Sequence, residues 1–269
     1  MIYDCFAFFN ELELLEIRLN ELDAVVDKFV IVEATRTFQK NPKALIFADN
    51  RHLFEKFLPK IIHIVVDEYP GFFSKFRNPT PRDYDNHQKE FILKGIKDAN
   101  DEDIIIVSDI DEIPRPNQIL AFKNIKGVKV FEQKFYYYYL NMLCIKSLDD
   151  TPDLWRGPVM LRKKDIKTIR KVRTLRGKEG LGIAIVPNGG WHFSYMGGVQ
   201  NIITKIEALS HDEFNKEYYK DPARLKELIE KGIDIFDRSQ LYATVNIDHD
   251  FPQYLRENIA MFRHLLKSA

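Results

Sequence analysis

Asp109 and Asp111 lie in the segment Ile104-Ile105-Ile106-Val107-Ser108-Asp109-Ile110-Asp111-Glu112-Ile113-Pro114, in which an apolar run passes directly into acid. Such a run reads as a buried strand, and open α/β sheets bind ligands beyond the carboxyl ends of their strands. In extended backbone, residues two apart point the same way, so Asp109 and Asp111 converge while Ile110 turns back into the core. Two converging carboxylates repel unless a cation lies between them. A hard divalent ion, Mn or Mg, with open positions would then bind the diphosphate of a nucleotide donor. The competing reading is a polar loop after a strand, the common setting of an arbitrary Asp-x-Asp. The buried-type strand before the pair and the Pro114 turn after it favour the metal site, with Glu112 as a supporting or solvent group.

A third ligand is offered by Gly189-Gly190-Trp191-His192-Phe193-Ser194-Tyr195, where His192 sits in a Gly-bounded aromatic segment. A hydrogen-bonded histidine packed among aromatics is the alternative, because neutral imidazole serves both roles. His52, His63, His87, His211, His249 and His264 lack a comparable cluster and read as structural or exposed. The stretch Arg162 to Lys178 is strongly basic, suited to a diphosphate or a phosphorylated substrate, although a solvated helix face is the usual outcome of such charge.

The elements that must position these residues follow from periodicity. Ile2 to Phe9, Phe29 to Val32, Ile61 to Val66 and Ile104 to Val107 are apolar runs that read as strands. Between them, Glu11 to Leu22 carries Leu12, Leu15, Leu19 and Leu22 at helical spacing after an Asn10 and Glu13 capping-box pattern. Pro81 to Ala99 reads as a helix opened by Thr80 and Pro81. Alternating strands and helices predict a parallel sheet. After Pro116 the pattern is mixed: Val128 to Leu140 alternates through aromatics, and Gly157 to Arg162 reads as a strand. Gly198 to Leu209 and Pro222 to Lys231 read as helices, the second bounded by Asp221 and Gly232. No repeat or linker divides the chain, so residues 1–269 are expected to form one α/β domain, with a nucleotide-binding half at 1–115 and an acceptor half at 116–269.

Forty Lys plus Arg balance forty Asp plus Glu, so no global field draws the chain to nucleic acid or an anionic membrane. Any polyanion must be bound locally. Two cysteines, Cys5 and Cys144, exclude a disulfide framework. Residues 1–10 have neither a basic leader nor the length to span a bilayer, which gives the expectation of a chain without a transmembrane segment, cytoplasmic as given.

In order along the chain, Asp4-Cys5-Phe6 with Phe8-Phe9-Asn10-Glu11, Val32-Glu33-Ala34 with Thr37, Ser108-Asp109-Ile110-Asp111-Glu112-Ile113-Pro114, Gly190-Trp191-His192-Phe193-Ser194 and Ile233-Asp234-Ile235-Phe236-Asp237-Arg238 resemble glycosyltransferase family 17. The resemblance implies a GT-A fold: a Rossmann-like, mostly parallel sheet flanked by helices. It implies a UDP-sugar donor carrying GlcNAc, usually with Mn, a glycan or glycoconjugate acceptor, and transfer with inversion. Family members with an anchor and stem are Golgi proteins, so a lumenal domain is the expectation if an anchor was removed. Inversion needs a carboxylate to take the acceptor's proton. In similar enzymes that base lies between the Asp-x-Asp and the metal histidine, a position that Glu179 fits, with Asp237 in reserve. Phe9, Glu33, Arg82, Asn86, Ser108 and Asp109 are the donor-site candidates, and Trp155, Trp191 and Tyr195 are candidates for stacking on an acceptor sugar. For each, core packing or helix surface is the competing reading.

Two other classes stay open at this level. An aspartate-nucleophile phosphohydrolase also carries Asp-x-Asp at a strand end, but on an early strand rather than after the fourth run. A non-catalytic glycan-binding protein on the same fold is the other, since fold alone does not imply turnover.

Overall fold

Strands whose side chains are apolar on both faces belong in the middle of a parallel sheet with helices on either side. The first four runs meet this condition. In the computed structural model, which describes residues 1–69, 78–145, 152–180, 182–208, 210 and 212–268, β1 (Ile2–Phe8), β2 (Lys28–Ala34), β3 (Ile61–Val66) and β4 (Ile104–Asp109) run parallel in the order β3-β2-β1-β4. The connections are α1 (Leu12–Leu22), then α2 (Ile46–Asp49) with a 3-10 segment at Arg51–Lys60, then α3 (Pro81–Glu90) and α4 (Ile92–Gly95).

Strand alternation divides the core. Phe6, Phe8, Ile104 and Ile106 pack with Leu15 and Leu19 of α1 on one face, while Tyr3, Cys5, Ile105 and Val107 pack with Phe91 and Ile92 on the other. Two boundaries differ from expectation. Asn10 does not cap α1; the Glu11 carboxylate accepts from the Phe9 and Asn10 N–H groups, and the helix starts at Leu12. The helix expected over 81–99 is interrupted at Phe91, giving α3 and α4, whereas its start has the expected Thr80 cap, with Asp83 answering back.

Beyond β4 the sheet becomes mixed, as expected. β5 (Glu112–Pro114), α5 (Pro116–Phe122), β6 (Val128–Tyr137), β7 (Met142–Ile145) and β8 (Leu154–Arg162) follow, with β8 antiparallel to both β4 and β6. Next come α6 (Ile169–Thr174), β9 (Ile183–Val186), β10 (Gly190–Ser194), α7 (Gly198–Ala208), α8 (Glu217–Lys220), α9 (Pro222–Lys231), β11 (Leu241–Thr244) and α10 (Gln253–Glu257). β9 and β10 run parallel to β6, and β10 runs antiparallel to β5, with Gly190 opposite Pro114 and His192 opposite Glu112. Gly190 has φ +135°, and a Cβ there would stand 2.1 Å from the Ile113 carbonyl oxygen, so only glycine fits. α9 keeps its predicted ends, with the Asp221 side chain on the Arg224 N–H and Gly232 left-handed at φ 69°.

The sheet runs across residue 115 without a break, because β8 lies between β4 and β6. Leu209, the last apolar position predicted for α7, and His211 lie outside the described residues. Among the described residues no helix is long and apolar enough to cross a membrane.

Candidate active site

β4 ends at Asp109 and the chain turns through Ile110 and Asp111 before β5 begins. The acidic pair is therefore not extended, yet both carboxylates reach one cavity while Ile110 stays buried at 4% exposure. The turn is held from beneath by Arg18 of α1, whose side chain is fully buried. Its guanidinium donates to the carbonyls of Asp109 (2.9 Å), Ile110 (3.0 Å) and Glu112 (2.9 Å) and to the Ser108 hydroxyl (2.6 Å). It also donates to both oxygens of buried Asp4, at 2.7 and 2.6 Å. A buried charge is tolerable only with such complete pairing, and here the pairing fixes the backbone that carries the acids.

The cavity, about 530 Å³, lies at the carboxyl ends of β1 and β4 and between β6, β10 and α7. Its centre is a lattice of opposite charges. Asp109 receives a two-pronged Arg173 at 2.8 and 3.1 Å, the Lys89 ammonium at 2.9 Å and Arg176 at 3.7 Å. Burial opposes its charge, but Arg173, Lys89 and Arg176 together hold the carboxyl well below the usual carboxylate range. Asp111 receives Lys205 at 2.9 Å and lies 3.6 Å from His192 Nε2. Burial again works against ionisation, and Lys205 with His192 outweighs it, so this carboxyl is also held low. Glu112 is an organiser: it accepts from the Asp109 N–H (2.8 Å), the Trp155 indole (2.9 Å) and Arg176 (2.6 Å).

His192 is stacked on Phe135 at 4.7 Å between centroids, with Trp155 on its flank at 4.8 Å. Its strand is bonded to the acidic turn through the Phe193 N–H and the Asp111 carbonyl, 2.8 Å apart. Its Nδ1 is buried without a hydrogen-bond partner. Among the described residues no cluster of three His, Cys, Asp or Glu side chains is arranged to cage a metal. Mg and Mn do not require one: such ions are commonly held by one or two carboxylates with waters and substrate phosphates. The Asp111 and His192 pair fits that mode, with Asp109 two residues earlier on the turn and Lys205 on the other Asp111 oxygen. His192→Ala is expected to weaken Mn affinity or turnover about ten- to a hundredfold, the size usual for disturbing a metal's surroundings. His264→Ala, at an exposed histidine paired with Glu13, should change neither. Calorimetry with Mn checks this, and equal small effects would make His192 a packing residue.

The family model for "Glycosyltransferase family 17" matches residues 1–268, nearly the whole chain. The chain belongs to glycosyltransferase family 17. Relatives in Rattus norvegicus and Mus musculus, both named beta-1,4-mannosyl-glycoprotein 4-beta-N-acetylglucosaminyltransferase, are 23% and 24% identical to this family 17 chain over 305 and 296 residues. Each alignment covers 96% of this chain and 53% of the relative, so the chain spans about half the length of the relatives it matches. Among solved structures it is similar to HddC from Yersinia pseudotuberculosis (11% identical, 69% of this chain and 89% of that one, TM-score 0.39). It is also similar to a putative nucleotide-diphospho-sugar transferase from Desulfovibrio desulfuricans (12%, 99% of each chain, TM-score 0.35). Likenesses this distant say nothing about chemistry.

Of the residues singled out from this family 17 sequence, Phe9, Arg82, Asp109, Asp111, Trp155, His192 and Tyr195 line the cavity. The others do not. Ser108 points to the opposite side of β4 and bonds Arg18. Glu33 is fully buried, receiving the Phe47 N–H at 2.9 Å and lying 3.1 Å from His63. Asn86 is absent from the lining, and Trp191, fully buried, donates its indole N–H to the Asp250 carbonyl. Glu179 is 69% exposed and paired with Arg156, and Asp237 is half exposed and paired with Arg224. Sequence pattern alone does not single out Arg18, Lys89 and Lys205. Each is a charged residue on an inward helix face, a signal that periodicity displays but does not explain.

Proposed function

We propose that this chain transfers a sugar, GlcNAc by the example of its named relatives, from a UDP-sugar to a hydroxyl of a glycan or glycoconjugate, with inversion and with Mn or Mg. One observation carries the reading. The chain has no net charge, yet eight Lys and Arg side chains line the cavity against five carboxylates. That local excess is what an anionic leaving group requires, and hydrolysis of a neutral glycan would not call for it.

Phe8, Phe9, Arg36, Thr37 and Lys43 line the cavity together with the charged lattice and with Phe135, Tyr137, Trp155, Tyr195 and Phe236. Phe9 would offer a flat surface to a nucleoside base, and Arg82 is a further cation on the wall. The aromatic cluster of Phe135 and Trp155 suits a sugar ring, whose C–H face stacks on such side chains. Asp111 and His192 would hold the metal, with Asp109 beside them, and the ion would stabilise charge developing on the departing diphosphate. Arg18 keeps the acidic turn in place, and Glu112 orients Trp155 and Arg176.

The proton acceptor is open to a direct test. With the Glu179 carboxylate on Arg156 away from the cavity, Glu179→Gln is expected to change transfer by less than about tenfold. A loss of about two to four orders with UDP affinity intact, the usual size of general-base help, would return the role to that loop. The reading itself is tested by incubating the chain with a panel of nucleotide sugars, Mn and a glycan acceptor library and measuring product by mass. Transfer from a UDP-sugar is expected. Release of phosphate from simple monoesters without sugar transfer would replace it with hydrolysis.

A further inference from the structure

We infer that Arg173 and Arg176 are the clamp that takes the donor's diphosphate, exchanging their carboxylate partners for phosphate oxygens when the donor enters. The inference rests on the donor being a nucleoside-diphosphate sugar. Of the nine Lys and Arg residues between 162 and 178, only these two line the cavity. They are three residues apart where α6 passes into the 3-10 turn at Leu175–Gly177, so both project from one side of the helix. Arg170 and Lys171, on the same helix, are exposed.

The geometry is that of an anion site filled by the protein's own acids. Arg173 grips Asp109 with two parallel N–H donors, the arrangement that a phosphate's paired oxygens also accept. Arg176 spends one nitrogen on Glu112, lies 3.7 Å from Asp109, and has a buried Nε with no acceptor. Lys89 lies 2.9 Å from Asp109 and 2.6 Å from Asp85, so three cations, Arg173, Arg176 and Lys89, meet around Asp109. Three cations gather on Asp109, both arginines line the cavity, and the Arg176 Nε donor is unfilled. A diphosphate would satisfy all three conditions.

The arginines are not needed to build the helix that carries them. Glu90 of α3 accepts the Ile169 and Arg170 N–H groups at 3.0 and 2.8 Å, Thr168 caps the helix, and Ile169 and Val172 are buried in the core. Substitution at 173 or 176 therefore removes a contact to the ligand and leaves its scaffold.

The test is calorimetry in EDTA, so that no metal contributes, with inorganic pyrophosphate, UDP and uridine as probes. The native chain should prefer UDP to uridine. Arg173→Gln and Arg176→Gln should each weaken pyrophosphate and UDP by about ten- to a hundredfold, the worth of a charge-assisted hydrogen bond, with uridine unchanged. Arg170→Gln should alter nothing, and Arg173→Lys should recover part of the affinity because it keeps the charge but loses the fork. If the native chain prefers UDP and both glutamine variants bind it equally well, the clamp is overturned while the donor reading stands. Equal losses for uridine and UDP would assign the arginines to the fold and overturn it too. A native chain that does not distinguish UDP from uridine would sink the clamp and the donor reading together.

Discussion

Asp111→Asn is expected to reduce sugar transfer about a thousandfold and to remove Mn-dependent UDP binding, with the fold retained. The size follows from the several kcal/mol that a metal's charge contributes in such a transition state, at about 1.4 kcal/mol per tenfold. Asparagine keeps the volume and one oxygen for Lys205, so the ammonium is not left without an acceptor, and Glu11 lies 3.9 Å from it as well. Asp109→Asn should also lose the metal-dependent part of UDP binding, but by a different balance. It frees Arg173, Lys89 and Arg176 at the same time, so the metal-free affinity for UDP should not fall with it. Titrating UDP with and without Mn separates the two components. Undiminished Mn-dependent binding in Asp111→Asn would end the metal assignment.

Arg18→Met should destabilise the protein by about 3–5 kcal/mol, the typical result of removing one partner from a buried ion pair. Asp4 would be left fully buried with neither oxygen answered, and three carbonyls of the acidic turn would lose their donor. A second substitution distinguishes stability from positioning. Arg18→Met with Asp4→Leu removes the stranded charge, so unfolding in denaturant should shift back toward the native midpoint. Mn and UDP affinity should not return, because the turn still lacks its anchor. Joint recovery of stability and affinity would show that Arg18 serves the fold alone.

Much of this arrangement is legible in the sequence because it is local. The four apolar runs become the parallel strands, the acidic pair falls at the end of the fourth, and His192 faces the same cavity. What escapes is set by distance along the chain or by direction. Arg18 and Asp109 are 91 residues apart, and nothing in the pattern around Arg18 announces that a helix arginine will reach across the sheet. Lys89 and Lys205 turn inward because carboxylates await them, a reason that exists only after folding. Trp191 is instructive in the other sense. In strand Gly190–Ser194 the residues alternate, so once His192 and Ser194 face the cavity, Trp191 and Phe193 must face the core. Two-residue alternation likewise sends Ser108 to Arg18 while Asp109 meets the ligand side. Glu33 follows a strand as expected, but its carboxylate is committed to the start of α2 and to His63. Alternation supplies faces, whereas partners come from the tertiary fold.

The main-chain pairing of β5 with β10 joins the acidic turn to the histidine strand as one rigid piece. Little freedom is lost there when a ligand arrives, so recognition depends on charge and shape already in place rather than on a search among conformers. The same rigidity narrows the paths open to sequence drift. A methyl group at Gly190 would meet the Ile113 carbonyl and part the two strands, displacing Asp111 from His192 without altering either residue. Substitutions that reshape the cavity without parting these strands would have to fall on its side walls, at positions such as Arg36, Lys43, Tyr195 or Phe236.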